Sequence, residues 1–393
     1  MEPLLPPEHA KELAELTVAI HREAGKLEGL LRGTENRLEL ARVVRQMNSY
    51  YSNLIEEHRT LPRDIERAQQ ADFDEDPKAR SHQKLGLAHA RVEAQIESRF
   101  ENGLDREELY SLPFLRWIHA SFFEDLPAEL CISRDHQGRE YEITPGELRQ
   151  HRVDLGHHLP PDCDYLEPFL GRFFEFYGSS RILSTRRIAA IAAAHHRLLW
   201  IHPFADGNGR VARLFSHACL IDAEVAGVGL WTLSRGLARN RKRYFAQLSA
   251  ADRRRDGDLD GRGNLSQKGL SEFCVAFAET LLDQITFMGS LLDLEGLSHR
   301  MEDFVFRQNL FGNARDNKGA TRILTEALYK GTMPRGRAPE LTGKKQTAAR
   351  LLLHRVVDKG LLKSKGPSSP VHLAFPSSVH EAYFPQLFVE LDF

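Results

Sequence analysis

One short stretch of the sequence decides how this chain folds: His202-Pro203-Phe204-Ala205-Asp206-Gly207-Asn208-Gly209-Arg210, with Arg213 one helical turn further on. An apolar run at residues 198–201 precedes it, and a second run at residues 211–220 follows it. Helices are expected on both sides, because only the polar, glycine-rich segment interrupts the apolar pattern. The sequence therefore predicts a tight loop between two buried helices.

The two glycines of this loop favour the binding of an anion. Gly207 and Gly209 bracket Asn208, so backbone amides can approach an anion without obstruction by a Cβ atom. The following helix points its N-terminal dipole and its free N–H groups into the loop. Arg210 and Arg213 share one face of the first turn of that helix. The loop is therefore expected to cradle phosphates.

The same loop carries a base and a metal ligand. His202 can accept a proton near neutral pH, and Asp206 is a hard oxygen ligand that suits Mg²⁺ beside phosphates. Taken singly, a His-Pro at a helix end, a Gly-x-Gly turn or an arginine on a helix is usually structural. Their combination within twelve residues is hard to obtain by chance. It predicts a site that transfers part of a nucleoside triphosphate.

These residues resemble the signature of the Fic (Fido) family of adenylyltransferases. The family pattern is His-x-Phe-x-Asp-Gly-Asn-Gly-Arg-x-x-Arg, and the chain agrees with it at every motif position. The resemblance extends from about residue 36 to about residue 290. It implies an all-helical core that transfers AMP from ATP to a hydroxyl of a target protein, with Mg²⁺ bound.

The resemblance also implies a role for each motif residue. His202 would deprotonate the attacking hydroxyl, Phe204 would pack inward and hold the loop, and Asp206 would hold Mg²⁺ against the α- and β-phosphates. The phosphates would be bound by Gly207, Asn208, Gly209, Arg210 and, at the γ-phosphate, Arg213. These roles agree with the chemistry of phosphoryl-type transfer, which needs positioning and charge stabilisation more than covalent catalysis.

Composition is that of an ordinary soluble protein. The chain has 393 residues, 41% of them hydrophobic, and a formal net charge of −2, so two or three domains with a real core are expected. Its scattered cysteines argue against a zinc site or a disulfide framework and for a reducing compartment: Cys131, Cys163, Cys219 and Cys274. No signal peptide or membrane-length apolar stretch is evident. A cytoplasmic protein without a membrane partner is predicted.

Apolar spacing predicts helices along most of the chain. They are expected at residues 8–32, 36–58, 80–100, 105–124, 164–178, 184–200, 210–226, 236–251, 269–297, 320–329 and 346–359. Residues 131–162 contain short extended segments and turns, and the only hairpin expected in the chain lies here.

In the Fic family a β-hairpin flap before the signature clamps the target peptide as an added strand. By position, the resemblance assigns this flap to Val153, Asp154, Leu155, Gly156, His157 and His158. Backbone pairing would hold a target with little demand on its sequence. The alternative is an ordinary connecting hairpin.

Two segments after the signature are weaker candidates. Residues 256–261 have the acidic residues and the glycine that begin a calcium loop, but Gln267 stands where the twelfth position requires a bidentate Glu, and Gly263 stands at the eighth. A rigid, capped loop that helps to wall the nucleotide pocket is preferred. Asn240 and Tyr244, one turn apart, are candidates for contacts with adenine, although Tyr244 could equally belong to the core.

A second motif precedes the core. Ser52 and Glu56 share a helix face, which alone means little, because a glutamate on a helix is normally solvated. Beside the signature they resemble the family's inhibitory motif, Ser/Thr-x-x-x-Glu-Gly/Asn, although Glu57 stands where Gly or Asn is usual. The resemblance implies that Glu56 forms a bidentate pair with Arg213, which could then not hold the γ-phosphate. This is the class of Fic protein that is inhibited by its amino-terminal helix.

Residues 320–376 form a separate pattern. Helices at 320–329 and 346–359 flank a turn-rich stretch, and a strand-like run at 371–375 follows. This order predicts a winged helix-turn-helix, whose second helix would lie in a DNA groove. Residues 315–365 contain thirteen Lys or Arg and four Asp or Glu, which favours nucleic-acid binding. The alternative is a platform for a homodimer or another partner.

The predicted fold class is mainly α: a Fic helical core with a small β-hairpin flap, plus a C-terminal winged-helix domain. The predicted domains are residues 1–110, with the inhibitory helix at about 36–58, then 111–298 for the Fic core and 299–393 for the winged helix. The favoured function is an autoinhibited protein adenylyltransferase that modifies a Tyr, Thr or Ser hydroxyl and releases pyrophosphate.

Two alternatives stay open at this point. One is a transcription regulator whose Fic core only senses a nucleotide. The other is a Fic enzyme that uses another nucleotide or a phosphocholine donor, or that removes AMP with the help of Glu56. Phosphate transfer, as in the death-on-curing relatives, is disfavoured, because those proteins have Lys where Gly209 stands.

Overall fold

The computed structural model describes residues 5–6, 10–30, 33–134, 138–153 and 158–389. Helices dominate these residues, which confirms the predicted mainly α class. In chain order they are α1 (Ala10–Leu30), α2 (Thr34–Ile55), α3 (Pro62–Gln69), α4 (Pro77–Glu101), α5 (Arg106–Leu109), α6 (Leu112–Phe123), α7 (Leu166–Tyr177), α8 (Ser184–Ile201), α9 (Asn208–Asp222), α10 (Leu233–Arg239), α11 (Arg241–Asp252), α12 (Gln267–Leu291), α13 (Leu294–Arg307), α14 (Ala314–Lys330), α15 (Ala338–Thr342), α16 (Gln346–Asp358) and α17 (Ser377–Tyr383).

Two compact units make up the chain, each assembled from separate segments. The first comprises Met1–Arg22, Asn48–Val225 and Thr232–Gln284. The second comprises Glu23–Met47, Ala226–Trp231 and Ile285–Phe393. The division into residues 1–110, 111–298 and 299–393 follows chain order and stays a prediction.

The centre of the first unit is formed by the two helices that flank the signature loop. Residues 187–198 of α8 and residues 210–220 of α9 are buried at every position. A helix that is buried on all sides belongs to a core rather than to a surface, and small residues such as Ala189 to Ala194 allow close approach of the neighbouring helices. The predicted tight loop between two buried helices is confirmed.

Three predicted helices differ in detail from the observed ones. The helix expected at 236–251 is divided into α10 and α11 at Asn240, the helix expected at 269–297 is divided into α12 and α13, and the helix expected at 105–124 is divided into α5 and α6. The second break has a visible cause, because the Asp293 carboxylate caps α13 by accepting a hydrogen bond from Gly296 N at 2.8 Å. Across the described ranges, no single helix is long and apolar enough to span a membrane. Taken together, α12 and α13 reach the required length and apolar composition, but the pair is bent by 57°.

Short antiparallel strands occur in two places. β1 (Ile132–Arg134) pairs with β2 (Glu140–Glu142), with Ile132 opposite Glu142, so this hairpin lies within residues 131–162, as predicted. It precedes the segment assigned to the flap, of which residues 154–157 lie outside the described residues. A second pair, β3 (Leu362–Lys363) with β4 (His372–Leu373), corrects the expectation of a single hairpin.

Residues 314–373 of the second unit contain α14, α15, α16 and this second strand pair. The stretch expected to be turn-rich contains α15, which lies between α14 and α16. Met333 exchanges two backbone hydrogen bonds with Val371, at 2.7 and 2.9 Å. At least five of the thirteen basic residues of this region form ion pairs within the unit: Arg337, Lys344, Arg355, Lys363 and Lys365. Their charge is therefore partly neutralised, which weakens the electrostatic argument for DNA binding.

Candidate active site

The signature loop begins at a strained residue that a buried arginine holds in place. His202 adopts a left-handed conformation (φ 50°, ψ 63°), which is uncommon for a residue other than glycine. The His202 carbonyl accepts a hydrogen bond from Arg149 Nε at 2.7 Å, and Arg149 N donates to Pro203 O at 2.9 Å. The Arg149 guanidinium also donates to the carbonyls of His151 and Pro161. Arg149 therefore fixes the position of His202, a role that no sequence motif indicated.

The Asn208 side chain closes the loop. Its Oδ1 accepts a hydrogen bond from Phe204 N at 3.0 Å, and its Nδ2 donates to Phe204 O at 2.9 Å. Phe204 is fully buried, as predicted, and its ring stacks on that of His119 with centroids 4.0 Å apart. Gly207 has a φ of 78°, and a Cβ atom there would lie 2.8 Å from Phe123. Because the Asn208 amide group is occupied in this way, only its backbone is free to line an anion site.

Asp206 and Arg210 present opposite charges at the mouth of the loop. The Asp206 side chain is 51% exposed, and its Oδ2 lies 3.6 Å from Arg210 Nη2. Arg210 is buried, with its guanidinium 4.8 Å from the centre of the Phe122 ring. Mg²⁺ in proteins is commonly held by one or two carboxylates together with substrate phosphates. An exposed carboxylate beside a buried arginine fits that requirement.

His202 is electrically neutral in this environment. Burial lowers the pKa of His202 to about 4, and the charges of Arg149 and His158 lower it further, whereas Asp206 acts in the opposite direction. The imidazole is therefore unprotonated at neutral pH and can accept a proton from a hydroxyl.

Two cavities meet at the loop. The larger has a volume of ≈ 640 Å³ and is lined by Arg213 and Tyr244 and by an apolar wall that includes Trp200 and Leu248. The smaller has a volume of ≈ 500 Å³ and is lined by residues 205–210 and by β1. Glu56, His202 and Gly209 line both cavities. The junction of the cavities thus brings together the base His202, Gly209 of the anion nest and Glu56 of the second motif.

Only one of the two residues that were predicted to contact adenine lines the larger cavity. Tyr244 lines the larger cavity, where its phenol oxygen lies 2.8 Å from His195 Nε2. Asn240 lines neither cavity and is exposed at the break between α10 and α11. The loop at residues 256–261 also lies outside both cavities. It is capped, as expected, because Asp260 accepts hydrogen bonds from the backbone amides of Asp256 and Lys268.

Arg213 is fully engaged by the end of α2. Its Nε donates to Ser52 Oγ at 2.9 Å, and its Nη2 donates both to Ser52 O at 2.9 Å and to Glu56 Oε1 at 2.7 Å. The expectation of a bidentate pair with Glu56 is therefore wrong, because Ser52 occupies the Nε position. The Glu56 carboxylate also lies over Gly209, where a Cβ atom would overlap Glu56 Oε1. The predicted contact between Glu56 and Arg213 exists, in a different geometry.

The residue after Glu56 explains why the motif usually has Gly or Asn at this position. Glu57 has a φ of 65°, and backbone bonds from Glu57 N to Leu54 O and from His58 N to Asn53 O close the helix in a Schellman motif. A left-handed residue is required there, which favours Gly or Asn. In this chain Arg241 stabilises the unusual glutamate instead. Its Nη2 donates to Glu57 Oε1 at 2.8 Å, while its Nε donates to Ile55 O at 2.9 Å.

Comparison with known proteins agrees with this geometry. Residues 109–220 match the model of the Fic/DOC family, so this part of the chain is similar to a Fic/DOC domain. Proteins named protein adenylyltransferase Fic from Drosophila erecta and Drosophila virilis are 33% and 34% identical to it over 149 residues, which is 37% of this chain. The chain covers only 28% and 29% of the length of these two relatives.

Solved structures of Fic proteins share the fold. A Fic family protein from Desulfovibrio desulfuricans superimposes with a TM-score of 0.53 at 14% identity, covering 95% of this chain and 98% of that one. A Fic-domain signalling protein from Bacteroides thetaiotaomicron gives a TM-score of 0.50 at 16% identity, covering 69% of this chain and 96% of the other. At these identities the likeness concerns the fold alone.

Proposed function

We propose that this protein is an autoinhibited protein adenylyltransferase that transfers AMP from ATP to a Tyr, Thr or Ser hydroxyl of a target protein and releases pyrophosphate. One observation carries the proposal: Glu56 contacts Arg213 at the junction of two cavities that share His202 and Gly209. The names of the curated relatives support the activity, and the match to the Fic/DOC family supports the catalytic domain.

The two cavities would bind different substrates. The larger has the size and the apolar wall that suit a nucleoside, and the smaller is open to the polar loop and to β1. A target hydroxyl that enters from β1 would meet His202 where the cavities join. The oxygen would attack the α-phosphorus, its proton would pass to His202, and pyrophosphate would leave. When bound at Asp206, Mg²⁺ would neutralise charge on the phosphates.

The target would be held by backbone pairing near this junction. Both Val153 and residues 132–134 of β1 line the smaller cavity, and His158 lines the larger one. An extended peptide added to β1 would lie beside His202 and would need little sequence specificity. The assignment of the flap to residues 153–158 remains part of this proposal, and β1 is a second candidate for the same role.

Labelled nucleotides test the reaction class directly. We expect transfer of label to protein from ATP labelled at the α-phosphate and none from ATP labelled at the γ-phosphate, with release of pyrophosphate. Label from the γ-phosphate alone would indicate phosphate transfer instead. Because inhibition would mask the activity of the wild-type chain, the assay belongs in the Glu56→Gly variant. Mass spectrometry of lysate proteins after incubation with that variant would identify targets.

Asp206→Ala is expected to weaken the response to Mg²⁺. The carboxylate is the exposed hard ligand of the loop, so its loss should raise the Mg²⁺ concentration for half-maximal transfer about tenfold or more. The measurement is a Mg²⁺ titration of label transfer in the Glu56→Gly background, with exposed Asp258→Ala as the control. An unchanged titration curve would show that Asp206 does not hold the metal.

Arg241→Ala is expected to raise transfer roughly two- to fivefold, because it removes a hydrogen bond to the end of α2 worth about 0.5–1 kcal/mol. Its guanidinium holds both the Ile55 carbonyl and the Glu57 carboxylate, so the position of Glu56 should loosen without it. Arg243→Ala is the matched control, since Arg243 pairs with the exposed Glu279, at 3.4 Å. Equal transfer by the two variants would contradict a role for Arg241 in inhibition.

We also propose that the second unit contacts DNA through α16. Thr347, Arg350 and His354 are exposed along this helix, which follows α14 and α15 in the order expected of a helix-turn-helix. A gel shift that disappears with added salt and that Arg350→Ala weakens is expected. If no shift occurs and the chain runs as a dimer in solution, this surface is instead a contact between copies. A shift without any label transfer would favour the transcription-regulator alternative.

A further inference from the structure

A cluster of buried polar side chains lies between α4 and α9, away from both cavities. His89, Glu93 and Glu97 follow one another at four-residue steps on α4, so they share one face of that helix. His217 projects from α9, one turn after Arg213. His89, Glu93 and His217 are all buried, and the side chain of Glu97 is 18% exposed.

The ligand atoms of this cluster are spaced as metal ligands are. One ligand atom each from Glu93, Glu97 and His217 lies within 4.8 Å of the others. His217 Nε2 is 3.6 Å from Glu97 Oε1, and His89 Nδ1 is 3.8 Å from Glu93 Oε2. In a tetrahedral site with bonds of about 2.0 Å, neighbouring ligand atoms are roughly 3.3 Å apart. The distance between His217 and Glu97 is thus too long for a hydrogen bond and only slightly longer than an edge of such a site.

His89 gives an independent indication of a missing ligand. Its side chain is completely buried, and among the residues that the structure describes neither ring nitrogen has a hydrogen-bond partner. Leaving such a group unsatisfied costs about 1–3 kcal/mol, and buried polar groups are rarely left so.

We propose that Glu93, Glu97 and His217 bind one divalent transition-metal ion beside His89, and zinc is the first candidate. An imidazole nitrogen together with two carboxylate oxygens suits Zn²⁺ in a site with three protein ligands and an open fourth position. Ca²⁺ and Mg²⁺ prefer oxygen ligands throughout, and two carboxylates balance the charge of a divalent cation. The scattered cysteines disfavour only a zinc site with thiolate ligands, so they do not bear on a site of histidine and glutamates.

The surroundings of Glu93 are those of a metal-binding carboxylate. Asn48 Nδ2 donates to Glu93 Oε2 at 2.5 Å, and the Thr232 hydroxyl donates to Asn48 Oδ1, which fixes the orientation of the Asn48 amide. Hydrogen bonds of this kind orient carboxylates that bind metals. Asn48 stands on α2, four residues before Ser52. The ion would therefore join α9, which carries Arg213, to α4, whose Glu93 bonds to Asn48 of the inhibitory helix α2.

Metal uptake by the protein tests the proposal without any assay of transfer. The untagged chain with Asp206→Ala, so that the phosphate-side metal site is removed, would be stripped with a chelator and titrated with Zn²⁺ and Co²⁺ in the absence of nucleotide. We expect one equivalent of Zn²⁺ per chain, an increase in Tm on binding and an intense visible Co²⁺ spectrum typical of four-coordinate geometry. The absence of a thiolate charge-transfer band would exclude ligation by cysteine.

Single substitutions then assign the site. Glu97→Gln and His217→Gln should each lose the bound equivalent and its effect on Tm. His299→Gln should keep both, because His299 forms a similar pair with Glu295 at 4.0 Å on an exposed helix face. The titration of the parent Asp206→Ala chain is decisive even if a further variant fails to fold. The proposal is wrong if the parent chain takes up no Zn²⁺ or Co²⁺, or if folded Glu97→Gln and His217→Gln bind as much as it does.

Discussion

His202→Ala is expected to reduce AMP transfer by about 10²–10⁴-fold, the usual cost of removing a general base. The change should be made in the Glu56→Gly background, where inhibition does not hide the loss. The physical reason lies in the position and charge state of the imidazole. It stands where the two cavities join, and burial lowers its pKa to about 4, so it is unprotonated when a target hydroxyl arrives.

The loss should fall on the chemical step and not on nucleotide binding. His202 acts on the hydroxyl, so the Kd for ATP, measured by calorimetry, should stay within about threefold of the parent. The control is His299→Ala on an exposed helix face, which should transfer AMP at the parental rate. Transfer by His202→Ala within about tenfold of the parent would rule out His202 as the base. A parallel loss of ATP binding would point instead to a structural role at the strained turn.

The sequence predicted the buried helices and the loop because the signals there are strong and local. The apolar runs on both sides of the signature have only one plausible partner, the core. The glycines at 207 and 209 mark the position of the loop between these two runs. Gly207 proves to be needed for a left-handed turn, and Gly209 for the close approach of the Glu56 carboxylate. At both positions the structure requires a residue without a side chain, and the sequence shows this directly as a glycine.

Contacts between distant segments could not be predicted in the same way. Arg149 lies 53 residues before His202 and holds it through a backbone carbonyl, and nothing in the residue type indicates that bond. The sequence assigned Asn208 only to the anion nest and did not indicate that its side chain bonds to Phe204 within the loop. Asn240 and Tyr244 share helical spacing, but the break between α10 and α11 places only Tyr244 at the cavity.

The buried cluster of Glu93, Glu97 and His217 shows the same limit. Periodicity places the two glutamates on one face of α4, where a solvated face is the ordinary expectation. Only the packing of α4 against α9 brings His217 to them and buries the group. A site whose ligands come from segments more than a hundred residues apart leaves no spacing for a single sequence to reveal.

Glu56→Gly is expected to raise AMP transfer at least tenfold. In the wild-type chain Arg213 Nη2 donates to the Glu56 carboxylate at 2.7 Å, and a charge-assisted contact of this kind contributes roughly 1.5–3 kcal/mol. About 1.4 kcal/mol corresponds to a factor of ten, so removing the carboxylate should free Arg213 for the γ-phosphate in at least ten times as many molecules. Transfer of α-phosphate label at matched enzyme and Mg²⁺ concentrations measures the change.

Two further variants separate release from mere loosening of α2. Glu57→Gly removes a neighbouring carboxylate that pairs with Arg241 rather than Arg213, and it relieves a left-handed glutamate, so it should not raise transfer. Arg213→Ala added to Glu56→Gly should abolish the gain. The inhibitory carboxylate is already gone in that variant, but the γ-phosphate would then have no arginine to bind it. If Glu56→Gly labels no more protein than wild type while His202→Ala still lowers the residual signal, the catalytic assignment stands. In that case Glu56 is a packing residue and not an inhibitor.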